Sequence, residues 1–147
     1  MYISPEVSTD LVVNRLDDFT PDATCEVHVL QASVRDSRLD VVDRLVTMKK
    51  GGCKVTVVAD TVEPTALSRL KGAGIPVSHQ LIHDKVFLVK SKGTYRVFTG
   101  SQNLSGSSAH KYDEIFVKLA PENEVAHPVY DLYKVHFDDA ASTAKAL

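Results

Sequence analysis

The chain has 147 residues, 44% apolar and 24% charged with ordinary Gly and Pro, which excludes disorder, collagen and coiled coil and predicts one globular domain spanning 1–147. No apolar run approaches the about 18 residues that cross a bilayer, and the opening Met1-Tyr2-Ile3-Ser4-Pro5 shows no basic, then apolar, signal-peptide pattern, which leaves the compartment open. The net charge of −2 divides into −5 over residues 1–44, +6 over 45–118 and −3 over 119–147, a distribution that suits an anionic ligand on the middle segment and equally suits solvated surface charge.

In chain order, Ser8 as N-cap followed by Leu11, Val12, Leu16 and Phe19 predicts an amphipathic helix over 8–19, closed before Pro21. Residues 26–34, EVHVLQASV, read as a strand. Leu39, Val42, Leu45 and Val46 give helical spacing over 38–50, ended by Gly51-Gly52. CKVTVVAD (53–60) reads as a strand buried on both faces, and 63–72 as a short helix with Pro64 in its first turn. DKVFLVK (84–90) and TYRVFTG (94–100) flank Ser91-Lys92-Gly93, a hairpin signal. A polar segment at 101–112 precedes a strand at 113–119 and a helix over 122–141, in which Pro128 argues for a break or a late start. The strand–helix–strand order implies right-handed crossovers, hence an α/β fold with a mixed, mostly parallel sheet flanked by helices.

Cys25 and Cys53 fit neither a zinc spacing nor a Cys-x-x-Cys redox motif. Each opens a strand-like run, so two parallel neighbours starting together would bring them within disulfide reach, with an extracellular origin following. A pair of small buried thiols accounts for them as well.

The chemistry is concentrated between His83 and Glu114. In a strand, His83 and Lys85 point one way and Asp84 the other. Thr99-Gly100-Ser101-Gln102-Asn103 closes the next strand, and there Ser101 and Asn103 share a face. Adjacent strands then gather an imidazole, an ammonium, a hydroxyl and a carboxamide, a set suited to gripping and attacking a phosphate. Glu114 (or its neighbour Asp113) offers a carboxylate to orient the imidazole. His110 lies in the polar segment near these groups and is a candidate substrate contact. His79 and His83 are four apart, as in helical zinc motifs, but Gln80-Leu81-Ile82 is strand-like and no third ligand stands out.

These residues resemble the phospholipase D superfamily, whose motif is His-x-Lys, four residues, Asp, then Gly-Ser-x-Asn. His83, Lys85, Gly100, Ser101 and Asn103 match it, and Glu114 stands where many members place the acid that bonds the histidine. Lys90 replaces the motif's Asp, and the gap to Gly100 is longer than usual, a length that the Ser91–Thr94 turn absorbs. The resemblance implies a phospholipase D-like α-β-α sandwich and a metal-independent phosphodiesterase that needs no cofactor. It implies a phosphohistidine on His83, Lys85, Ser101 and Asn103 as catalytic and substrate-holding groups, and Glu114 as the orienting carboxylate. Members bring two His-x-Lys motifs together, so this single motif implies a homodimer, or the C-terminal half of a two-motif enzyme. The basic middle segment favours a nuclease; the cysteine pair fits a secreted enzyme acting on phospholipid, by hydrolysis or transphosphatidylation. A degenerate domain that binds phosphate without turnover is the remaining reading, with Lys90 as its support.

Overall fold

The computed structural model describes residues 2–4, 11–100, 104, 114–121, 123 and 125–147. In chain order the elements are β1 (Tyr2–Ser4), α1 (Leu11–Asp17), β2 (Glu26–Val34), a 3-10 turn at Asp36–Arg38 running into α2 (Leu39–Lys50), β3 (Lys54–Val62), α3 (Pro64–Gly72), β4 (Val77–His79), β5 (Lys85–Ser91), β6 (Thr94–Gly100), β7 (Glu114–Leu119), α4 (Pro128–Thr143) and β8 (Lys145–Ala146). Among the described residues the strands form one sheet in the order β1-β7-β6-β5-β2-β3-β4-β8.

Side chains alternate along β2, β3 and β5, and the two sets feed two cores. Val27, Val29, Val55, Val57, Phe87 and Val89 face α1, α2 and α3, whose Leu16, Leu45 and Leu70 close that side. Leu30, Val58, Val86 and Leu88 face the opposite way and are covered by Tyr130 and Phe137 of α4. Each such buried large side chain contributes about 1.5–3 kcal/mol, so the layers are held mainly by this burial. The expected helix-flanked sandwich is therefore present. Its sheet is mixed, but not mostly parallel: β2–β3 and β3–β4 pair in parallel, and the remaining pairings are antiparallel. The crossover logic holds for the first half of the chain and gives way where short turns return the chain beside itself.

The hairpin between β5 and β6 turns on Lys92 and Gly93, both at positive φ (50° and 79°), the twist that a two-residue turn needs to match right-handed strands. Helix α4 starts at Pro128, six residues later than the alternation over 122–141 suggests, because Pro at the first helical position needs no hydrogen bond of its own. Helix α1 is shorter than expected, and its Ser8 cap lies outside the described residues. Helix α3 has no cap from its own Glu63; Asp36 accepts from the Ala66 N–H at 2.8 Å, while the Asp36 N–H donates to Glu63 Oε2 at 2.7 Å. The ends of β2 and β3 are braced to each other by this exchange.

Cys25 and Cys53 immediately precede β2 and β3, which pair in parallel from Glu26 opposite Lys54. Their Cα atoms stand 4.5 Å apart and the sulfurs are bonded, buried under the sheet. The open question of thiols or bridge is answered by strand register. Closing a 28-residue loop should contribute about 3.5 kcal/mol on the chain-entropy account. The expected outcome is that denatured, unreduced protein shows no free thiol, and that Cys53→Ala lowers the urea unfolding free energy by about that amount.

Candidate active site

One end of the sheet gathers the carboxyl ends of β2, β3 and β6 and the starts of β5 and β7. Gln31 of β2 stands opposite Lys85 of β5, Val86 opposite Thr99 of β6, and Gly100 opposite Phe116 of β7. Here β2 sends the chain across to β3 on one side and is joined by β5 on the other. Such a switch point at the carboxyl end of parallel strands is where open α/β sheets leave room for a ligand.

His83 is exposed, in the extended segment that leads into β5, and Lys85 is half-buried as the first residue of that strand. The Lys85 ammonium donates to the His83 carbonyl at 2.9 Å. Between them Asp84 faces the other way: its carboxylate meets His136 of α4 at 2.9 Å, and its carbonyl accepts from the Ala32 N–H at 2.7 Å. Asp84 thus fastens the motif to α4 and β2, while Lys85, in register opposite Gln31, shares the face of Phe87 and Val89. An exposed imidazole beside an anchored ammonium can approach an anion without first desolvating a buried charge.

Ser101, Asn103, His110 and the alternative carboxylate Asp113 lie outside the described residues. Their flanks are at this same end. Gly100 ends β6, and Leu104 is buried and bridges Val34, its N–H donating to the Ser33 carbonyl at 3.2 Å and its carbonyl accepting from the Arg35 N–H at 2.9 Å. Glu114 begins β7, paired through its backbone with Ser4 of β1. His79 is not on a helix with His83; it closes β4 and its Nε2 meets Asp60 of β3 at 3.3 Å.

Lys90 falls at the opposite end of β5 and on the opposite face from Lys85. It pairs across the ladder with Glu26 at 2.5 Å, and Glu26 Oε1 accepts from Nε2 of the buried His28 at 3.2 Å. A carboxylate only accepts, so Nε2 carries the proton and Nδ1 accepts from the Thr56 hydroxyl at 2.6 Å. The departure from the family motif is therefore a structural ion pair under α4, about 17 Å along the strand from Lys85 at roughly 3.4 Å per residue.

Sequence reasoning passed over Gln31. It is 1% exposed, it faces the same side as Lys85 across the ladder, and its Oε1 makes no hydrogen bond among the described residues. The signal was present: a long carboxamide interrupts an otherwise apolar inward set, Val27 and Val29. Among the described residues no group of three His, Cys, Asp or Glu side chains is placed to hold a metal, and no helix is long and apolar enough to cross a membrane.

The family described as "Cardiolipin synthase, PLD-like domain" matches residues 21–139. Among solved structures, the chain is similar to Nuc from Salmonella typhimurium, a phospholipase D family member, at 22% identity over 93% of this chain and 88% of that one, with a TM-score of 0.76. It is also similar to NucT from Helicobacter pylori (15% identity, 92% and 91% covered, TM-score 0.73). Polyphosphate kinase from Porphyromonas gingivalis follows at 20% identity and TM-score 0.71, over 96% of this chain and 26% of that one. Among curated proteins no sequence match is found.

The polar group under α4 has a consequence for stability. Burial holds the His28 imidazole below its ordinary range, against the pull of Glu26. Glu26 is held below the usual carboxylate range: its own burial opposes this, but the hydrogen bonds from Lys90 and His28 outweigh it. An imidazole kept neutral when folded is protonated more readily once unfolded, so its contribution is full above about pH 6.5 and is lost as the pH falls. The urea midpoint should therefore decline between pH 7.5 and 5.5, and His28→Gln should flatten that decline.

Proposed function

The chain belongs to the phospholipase D superfamily, and we propose that it is a metal-independent phosphodiesterase acting on nucleic acid through a phosphohistidine at His83. The observation that carries this reading is the exposed His83 imidazole and the anchored Lys85 ammonium at one open end of the sheet, with Asp84 turned away to His136. A neutral His83 attacks phosphorus through a ring nitrogen, the P–N bond forms and the bond to the leaving oxygen breaks. Lys85, Ser101 and Asn103 hold the non-bridging oxygens as charge shifts onto them, and Glu114 holds the imidazole in its tautomer and balances the imidazolium. His110 contacts the substrate beside them. The leaving oxygen takes its proton from His83 of the partner subunit. That histidine then removes a proton from water as water attacks phosphorus and the P–N bond breaks, releasing a phosphomonoester. Lys85 and the imidazole supply the positive charge that a metal would otherwise bring, so the reaction needs no cofactor.

The two-histidine requirement makes a homodimer, or a second His-x-Lys half, part of the proposal. Leu81, two residues before His83, is exposed, as are Leu132 and Val135 on the outer side of α4, which gives a second copy apolar surface beside the site. The excess of basic residues over 45–118 favours a polyanion. Phospholipid is the second reading, favoured by the cardiolipin synthase description of the matching family. Phosphate binding without turnover is the third reading; its support is Lys90 in place of the motif's Asp, and Lys90 is paired with Glu26 at the far end of the strand.

Hydrolysis of bis-p-nitrophenyl phosphate should persist in chelator and coelute with a dimer in a solution-mass measurement. His83→Asn should lower turnover at least about 1,000-fold while leaving binding of single-stranded DNA within about threefold. Lys90→Met should cost about 1 kcal/mol of stability and leave turnover unchanged. DNA affinity should fall steeply with salt; activity on phospholipid vesicles, and none on DNA, would transfer the reading to lipid. A monomer active at the same specific rate would remove the shared site.

A further inference from the structure

We propose that Gln31 is a positioning residue for Lys85: when phosphate binds, its carboxamide oxygen, which has no partner among the described residues, takes up a hydrogen bond from the Lys85 ammonium and so aims that charge at the phosphate. The proposal rests on the phosphodiesterase reading above. It starts from an anomaly in the packing. Gln31 is 1% exposed on the central strand, and Oε1 makes no hydrogen bond among the described residues. A buried amide oxygen left unpaired destabilises a fold, and native structures hold few of them, so each calls for a cause. Packing does not supply one here, because the inward neighbours Val27 and Val29 show that an aliphatic side chain suits this face.

The register supplies the cause. Gln31 and Lys85 are the last rung of the β2–β5 ladder, directly opposite one another. Facing side chains in such a pair have Cβ atoms about 5 Å apart. The next rung inward, Val29 opposite Phe87, is closed apolar core. Gln31 is thus the first polar group above the core on the face that Lys85 shares. Two residues on, the Ser33 hydroxyl oxygen is also buried without a partner among the described residues, so the unpaired polar atoms of β2 cluster at its site end.

Lysine is a point charge on a flexible four-carbon stem, and its direction must be set by other groups. Its ammonium has three protons. One is on the His83 carbonyl at 2.9 Å; a second on Gln31 Oε1 would leave the third to point outward between two fixed acceptors, towards a phosphate oxygen. Gln31 touches no substrate in this arrangement. It acts through Lys85, at the cost of an unpaired amide whenever Lys85 is turned away.

The test is a cycle of wild type, Gln31→Leu, Lys85→Met and the double variant, with kcat, KM and melting temperature measured on bis-p-nitrophenyl phosphate. Gln31→Leu should lower kcat about 30-fold with KM within about twofold, because the lysine still reaches the substrate but in poor aim. Its melting temperature should equal or exceed that of the wild type, which a residue kept for packing would not show. In the Lys85→Met background the same change should cost nothing further, since coupled residues are not additive. Gln31→Glu keeps an acceptor beside the ammonium and should recover kcat to within about fivefold of wild type. If Gln31→Leu fails to fold, Gln31→Met, closer in shape, takes its place in the cycle. Wild-type kcat in the Leu or Met variant, or an equal loss with and without Lys85, would overturn the role of Gln31 alone. A wild type without turnover, as a dimer and on both substrate classes, would overturn the phosphodiesterase reading and this role with it.

Discussion

The antiparallel ladder between β2 and β5, running from Glu26 opposite Lys90 to Gln31 opposite Lys85, is the constraint on which the rest of the molecule depends. Side chains alternate with a period of two, so a slip of one residue would send Lys85 under α4 and drive Lys90 towards the apolar core behind Phe87 and Val89. Register is held against that slip by burial on both faces: Val29 with Phe87 on one side, Leu30 with Val86 on the other. Strand β2 is also pinned on its second edge, in parallel with β3 and through the Cys25–Cys53 bond at its base.

Two ends of one ladder consequently do different work. At the base, half-buried charges are paired off: Lys90 with Glu26, Glu26 with the buried His28, His28 with Thr56 and the ring of Phe137. Glu26 is bonded by both Lys90 and His28, and both ring nitrogens of His28 have partners, so the group stabilises the fold beneath α4. At the open end the polar groups are under-committed. Among the described residues, the Lys85 ammonium meets the His83 carbonyl alone, the side-chain oxygens of Gln31 and Ser33 have no partner, and His83 is exposed. A fold tolerates such incomplete pairing where a ligand completes it, which is what the proposed site at this end of the ladder would require.

The helices divide along the same lines. The layer of α1, α2 and α3 is an apolar support, joined at the site end by the exchange between Asp36 and Glu63. Helix α4 is attached to the motif itself, through His136 to Asp84 and through Gln80 to the Ala140 carbonyl. Holding Asp84 from that side leaves Lys85, the first residue of β5, on the other face with Phe87 and Val89. The residue inside His-x-Lys therefore fastens this segment to α4 and β2.

Much of this was legible in the chain. The strands 26–34 and 94–100 have the bounds that their β-branched, alternating sequence indicates, because long runs bounded by turn residues carry a strong local signal. That Asp84 and Lys85 face opposite sides followed from alternation alone. What local pattern did not contain was the partner of each strand. Three-residue and two-residue strands such as β1, β4 and β8 have no period to read and exist only because a neighbour offers them hydrogen bonds. The balance of parallel and antiparallel pairing was misjudged for the same reason: order along the chain implies crossovers, whereas adjacency in space is decided by burial. The choice between thiols and disulfide, the pairing of Lys90 with Glu26 and the placing of Gln31 opposite Lys85 all depended on cross-strand register, which couples residues 28 to 64 positions apart. The sequence by itself determined which groups are present and which way each strand faces; only the tertiary structure decided which of them meet, because that is set by long-range packing that no local window contains.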